Sequence, residues 1–171
     1  MMNDTLQLEE LIGRLVRQSW GYRNLTGQDE APMSWTPTLT AATPGDLAVG
    51  YTNRAGIATK IGINIFYDFD ITTSSFTHTT AAGALSVTGL PFASLDDTNP
   101  RFIGKLEWAG MGVTLAAFTE IDCRVTGGAS TSIGFVASGN LQPLTVVAIT
   151  DLPTGGSVRL RGSGRYCIQK A

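Results

Sequence analysis

Asp68 and Asp70 stand two residues apart in the stretch 61–71, IGINIFYDFDI, where every odd position is apolar. On a β-strand, side chains at i and i+2 project from one face, so the two carboxylates would point the same way. Such a pair could bind Ca²⁺ or serve as an acid and a base. Calcium takes about six to eight oxygens, usually gathered by a loop, and no D-x-D-x-D-G pattern surrounds these residues. A glycosidase sets its two carboxylates on either side of the scissile bond, and neighbours on one strand do not provide that. The spacing predicts a solvated strand face or, because Phe66 shares it, an interface edge. It does not predict an active site.

Other chemistry is thinly supplied. His78 is the single histidine, in the Thr-rich run 76–80, and no nucleophile elbow accompanies it. It is expected to be an exposed strand residue. Cys123 and Cys167 are too few for a disulfide framework and, with one histidine, a poor supply of metal ligands. Gly110-Met111-Gly112 lacks the third glycine and following helix of a dinucleotide loop. No catalytic residue, metal or cofactor is therefore expected.

Binding chemistry has better material. Arg159 and Arg161 alternate with Val158 and Leu160, and Arg165 follows a Gly162-Ser163-Gly164 segment read as a turn. Together the three arginines could receive phosphate or carboxylate groups of a surface polysaccharide. Alternatively they form a solvated face or an intersubunit salt bridge. Trp35, Trp108 and Tyr51 either stack on sugars or pack in a core. Arg159, Arg161, Arg165 and Trp108 are thus the possible glycan-binding residues.

The elements that must position them are short and β-rich. Charge is sparse at 15% and glycine numbers 20, which suits an all-β domain with many turns better than a helical one. Strands are predicted at 35–40, 47–53, 57–72, 76–80, 84–89, 101–108, 113–124, 132–137, 144–149, 158–161 and 165–169. Turn residues separate most of them, and no helical pattern intervenes. This points to an antiparallel β-sandwich, with a jelly roll favoured.

The first 20 residues differ. Asp4 or Thr5 can cap a helix that carries Leu8, Leu11, Ile12, Leu15 and Val16 at helical spacing. That stripe packs on its own domain, on copies of itself, or on a partner. Glu9, Glu10, Arg14 and Arg17 break the segment, so neither a signal h-region nor membrane insertion is expected. Residues 21–34 read as a polar linker, and 35–171 as the β domain. A net charge of −2 supplies no phosphate-neutralising surface, which argues against a nucleic-acid partner.

Four motifs carry a resemblance. WTPTLT at 35–40 precedes YTNRAGIATKIG at 51–62; the run ALSVTGLPF at 84–92 comes next, and SGRYCI at 163–168 closes the domain. This order resembles a β-sandwich domain of bacteriophage appendage proteins: tail-fibre tips, receptor-binding proteins and head fibres. The pattern runs W-T-P-x-L, Y-x-x-R-x-G-x-x-x-K-I-G, T-G-L-P-F, S-G-x-Y, and covers about 34–170. Ala58 departs from it, since an aromatic is commoner there. The resemblance implies a virion protein made in a bacterial cytoplasm, usually a homotrimer, attached to other virion proteins through its N-terminal end. Its head would bind a host surface glycan; the alternative is a head fibre or capsid-decoration protein with no receptor role.

Overall fold

A computed structural model describes residues 31–110 and 115–169. The expected N-terminal helix, with its stripe Leu8, Leu11, Ile12, Leu15 and Val16, lies outside the described residues. The strands are β1 (Met33–Trp35), β2 (Thr38–Thr43), β3 (Ala48–Ile61), β4 (Asn64–Thr77), β5 (Ala82–Thr88), β6 (Arg101–Ala109), β7 (Glu120–Thr126), β8 (Ser132–Ser138), β9 (Thr145–Val146) and β10 (Arg159–Cys167). β1 opens inside the segment read as linker. All pairings are antiparallel.

The strands form one continuous sheet rather than two facing ones, in the order β1-β3-β4-β10-β6-β7-β8-β5-β2, with β9 added to β8. The all-β antiparallel expectation holds; the division into a two-sheet sandwich does not describe this ladder. β10 enters between β4 and β6 and joins halves that would otherwise be separate sheets. The two edge strands, β1 and β2, are consecutive in the chain and linked only by Thr36 and Pro37. So short a link requires the sheet to curl until its edges meet. Pro37 lacks an N–H and breaks what was read as a single strand over 35–40.

The seam is sealed by side chains. The Leu39 N–H donates to the Tyr51 hydroxyl at 3.0 Å. The Arg54 guanidinium lies 4.6 Å from the Tyr51 ring centroid and donates to Thr38 Oγ1 at 3.4 Å. Gly89 lies against the β1–β2 corner: its φ is +105°, and a Cβ there would come within 2.8 Å of the Thr36 carbonyl oxygen. A second tie joins the 89–92 turn to β10, where the Tyr166 hydroxyl donates to the Phe92 carbonyl at 2.7 Å.

The inner face alternates large and small across the strands as well as along them. Trp35 pairs with Gly56, Gly56 with Phe69, Phe69 with Gly162, and Gly162 with Leu106. In the adjacent row Ala58 pairs with Tyr67, and Tyr67 with Gly164. Each ring therefore lies over a neighbour that has little or no side chain. A Cβ at Gly162 would come within 2.7 Å of Cys123 Sγ and closer still to the Phe69 ring; one at Gly164 would strike the Tyr67 ring. Gly162-Ser163-Gly164 is thus no turn but the middle of β10. Around these rows the core gathers Ile65, Ile71, Leu85, Ile133, Phe135 and Leu160, all fully buried. Each buried apolar side chain of this size contributes about 1.5–3 kcal/mol.

The opening stretch 61–71 is likewise not one strand. Gly62, at φ +62°, leads a two-residue hairpin between Ile61 and Asn64. The alternation is real only from Ile65 onward; Ile61 and Ile63 are exposed. His78, expected to be exposed, is half-buried after β4, donating from Nε2 to the Leu152 carbonyl at 3.0 Å beside the Phe76 ring.

Two expected outcomes follow from this packing. Gly162→Ala should lower stability by about 1–3 kcal/mol, because the added methyl must displace the Phe69 ring; urea denaturation reads it, and an unchanged midpoint would show the row is loosely packed. Asp46, in the β2–β3 turn, accepts from the Thr79 and Thr80 N–H groups at 2.9 and 2.8 Å and from the Thr79 hydroxyl. Those bonds, the Thr79 hydroxyl first, hold its carboxyl well below the usual carboxylate range. A carboxyl depressed in the folded state stabilises above its unfolded pKa of about 3.9, and the contribution fades as pH falls below that value. Asp46→Asn should therefore melt lower than the parent at pH 7. The gap should narrow on titration from pH 4 downward, and a pH-independent gap would refute the assignment.

Candidate functional site

The outer face of the curl carries the even positions of β4 and the odd positions of β3, β6 and β10. The inner-face packing fixes their register, since a one-residue slip would turn every side chain to the other face. One outer row therefore reads Ala55, Asp70, Arg161, Glu107, and the next reads Ile57, Asp68, Ser163, Lys105. Together they line an open groove of about 450 Å³ across β3, β4, β10 and β6. It is the two aspartates of the hydrophobic alternation that stand at its centre.

Asp70 is half-buried, and its Oδ2 accepts from Arg161 Nε at 2.9 Å. Arg161 Nη1 also lies 4.0 Å from Glu107 Oε2, so the guanidinium is held between two carboxylates. The other Asp70 oxygen, Oδ1, is enclosed and has no hydrogen-bond partner. Asp68 is exposed beside it. Lys105 turns toward β7, where it meets Glu120 and bonds Asp122 at 3.2 Å. Those hydrogen bonds, Glu120 first, raise its pKa and keep it protonated.

With Lys105 engaged elsewhere, three carboxylates face one guanidinium in the groove. Such a floor offers acceptors to hydroxyl groups and repels anions. Charge-assisted O–H···O⁻ bonds are among the stronger hydrogen bonds available to a polyol. The apolar Ala55, Gly56 and Ile57 line one side of it. Phe66 follows Asp68's face toward the hairpin tip and is exposed.

The structure separates the predicted glycan-binding set. Arg159, Arg161 and Arg165 share the outer face of one strand, but Arg161 is neutralised by Asp70, so the trio is not a free anion cluster. Arg159 is half-buried with its Nε enclosed and unpartnered, while Arg165 is exposed opposite Phe66. Trp108 pairs with buried Leu160 and so belongs to the inner side, 42% exposed near the end of β6. It cannot stack on a ligand held by the arginines. Glu107, Ser163 and Lys105 were missed, although the alternation of β6 and β10 would have placed them. The cysteines are free thiols on opposite sides of the sheet: Cys123 is buried, with its pKa pushed up to about 12 by burial, and Cys167 lies near Asn64. Among the described residues, no three His, Cys, Asp or Glu side chains gather as a metal would require.

No family model matches the chain, and no curated protein matches it. Among solved structures it is similar to the Dettilon tailspike protein, with a TM-score of 0.52 at 12% identity. The match covers 78% of this chain and 23% of the tailspike, so the chain spans less than a quarter of that protein's length. At that identity the likeness is one of fold: the curled antiparallel sheet has a counterpart within a phage tailspike.

Proposed function

We propose that the chain is a bacteriophage virion appendage protein, a fibre or spike component whose β head binds a host surface glycan in the outer groove. The observation that carries the binding reading is the excess of carboxylates in the groove, where exposed Asp68 and Glu107 flank the Asp70–Arg161 pair. Their exposed oxygens are free of cross-strand hydrogen bonds among the described residues and can accept from ligand hydroxyls in charge-assisted bonds. The surplus of carboxylates selects neutral sugar units over anionic ones. The fold shared with part of a tailspike and the four sequence motifs support the virion setting. The reading is one of binding without cleavage: Asp68 and Asp70 are neighbours on one strand, and the carboxylates that do stand apart, Asp70 and Glu107, have the Arg161 guanidinium between them where a scissile bond would have to lie.

The chain is also proposed to assemble as a homotrimer through its β domain. Ile61, Ile63, Phe66 and Ile103 leave an apolar area exposed around the β3–β4 hairpin and β6, with Ile103 at 53%. Large apolar side chains exposed in this number, here beside exposed Arg165, mark interaction sites. The stripe Leu8, Leu11, Ile12, Leu15 and Val16 is left for docking on other virion proteins.

Three measurements test these readings. Antibody labelling of intact particles should find the protein on the virion, and saturation-transfer NMR should find neutral bacterial surface oligosaccharides in contact with the chain. Asp70→Ala should abolish that contact while labelling persists. Absence from particles sinks the virion setting, whereas labelling with unaltered binding by Asp70→Ala sinks the groove alone. Sedimentation equilibrium should return three times the chain mass, and Ile103→Asp should shift it toward one. A monomeric parent chain would end the trimer.

A further inference from the structure

A second depression lies further round the same outer face, over β7, β8 and β5. It measures about 250 Å³ and takes its polar lining from Ser86, Arg124, Thr126 and Ser132, with Gly134 and Val146 beside them. Within one row of the sheet, Gly134 pairs with Arg124 on one side and Ser86 on the other. No side chain therefore stands between the guanidinium and the serine hydroxyl.

Arg124 is half-buried, and its Nε–H is enclosed and donates to nothing. Among the described residues no carboxylate forms an ion pair with it; those of Asp70, Glu107, Glu120 and Asp122 go to Arg161 and Lys105. Burial works against its charge, and the neighbouring Arg101 adds like-charge repulsion. Arg101 is itself occupied with the carbonyls of Thr98, Asn99 and Pro100. A partly desolvated cation beside a second cation, with no counter-ion, calls for an anion.

Gly134 gives an independent sign. A glycine inside a strand weakens it, and often marks a place where a ligand or another backbone approaches closely. Every other described glycine has a reason within the chain: either a positive φ, or a neighbour that a Cβ would strike. Gly134 has neither. Its nearest contact to an added Cβ would be the Arg124 carbonyl at 3.7 Å, an ordinary van der Waals distance. The fold would accept a side chain there; the cleft would not.

We propose that this cleft is an anion seat. It takes one carboxylate or phosphate group carried on a sugar, gripped by the Arg124 guanidinium and the hydroxyls of Ser86, Thr126 and Ser132. The volume is below the roughly 300–1,000 Å³ of clefts that bury drug-sized ligands, so one charged substituent and its ring suffice to fill it. The hydroxyls suit ring oxygens, and the methyls of Ala42, Ala84 and Val146 suit C–H faces. The seat stands apart from the outer groove, whose charge is of the opposite sign.

The test is NMR titration of the full chain with glucuronate, glucose 1-phosphate and, as the neutral control, glucose. Residues around Arg124 should shift with both acids and not with glucose; response to one acid alone also supports the seat and identifies the group it takes. Arg124→Gln should weaken the response at least roughly ten-fold, the loss expected for a charge-assisted pair. Gly134→Val should block it with an unchanged melting temperature. Should that variant melt early, Gly134→Ala and Ser86→Val serve in its place, each weakening binding. The proposal is overturned if the parent chain gives no shifts at tens of millimolar acid, if glucose shifts the same residues, or if binding survives both Arg124→Gln and the cleft-filling variants.

Discussion

The whole structure depends on rings lying over glycines. Phe69 and Tyr67 reach across β10 because Gly162 and Gly164 vacate the inner face there, and Trp35 does the same over Gly56. A β-strand glycine alone is destabilising, since it loses backbone entropy and packs nothing. Covered by an aromatic from the neighbouring strand, it lets large side chains interdigitate in one layer at native density. It also lets the sheet bend inward without crowding, and curling is what the two-residue link between the edge strands demands. Edge strands are a liability where their unpaired groups face solvent. Here the short β1 leaves the first half of β3 beside β2, and side-chain bonds from Tyr51 and Arg54 of β3 hold β2 there.

Fixing the inner face fixes the outer one. The residues between the glycines and rings, Asp68, Asp70, Arg161 and Ser163, have no freedom of register, so carboxylate meets guanidinium wherever the core places them. The pair Asp70–Arg161 is accordingly well formed for a partly exposed one. Its worth lies less in stability, where such pairs contribute about 0–1 kcal/mol, than in what it leaves over. It fixes Arg161 between Asp70 and Glu107 and leaves exposed Asp68 beside them on the groove floor. Rigid elements position polar groups better than loops do.

Much of this was legible in the residues, and the failures have physical causes. Alternation from Ile65 to Ile71 correctly gave the buried and wet faces of β4, because a period of two has a single reading once one side is apolar. The hairpin at Gly62 was hidden by isoleucines on both sides, which prolong the alternation through a turn. Gly162-Ser163-Gly164 resembles a turn by composition, and only the Tyr67 and Phe69 rings on another strand show that it is none. The same blindness to neighbouring strands divided one sheet into two. It also put Trp108 with the arginines, although its parity along β6 sets it on the opposite face.

The motifs behind the family resemblance turn out to be seams and not sites. WTPTL supplies the corner and the ring over Gly56, Tyr51 and Arg54 close the edge, Gly89 admits the corner backbone, and Tyr166 ties β10 to Phe92. Such residues answer to the geometry that this curled sheet must satisfy. The groove and the Arg124 cleft fall between them, on faces where packing imposes few demands. A fold held at its seams leaves its outer rows free to vary in charge, and these two rows already differ in sign. That separation is how one sheet can carry the same architecture while presenting different chemistry to whatever it meets.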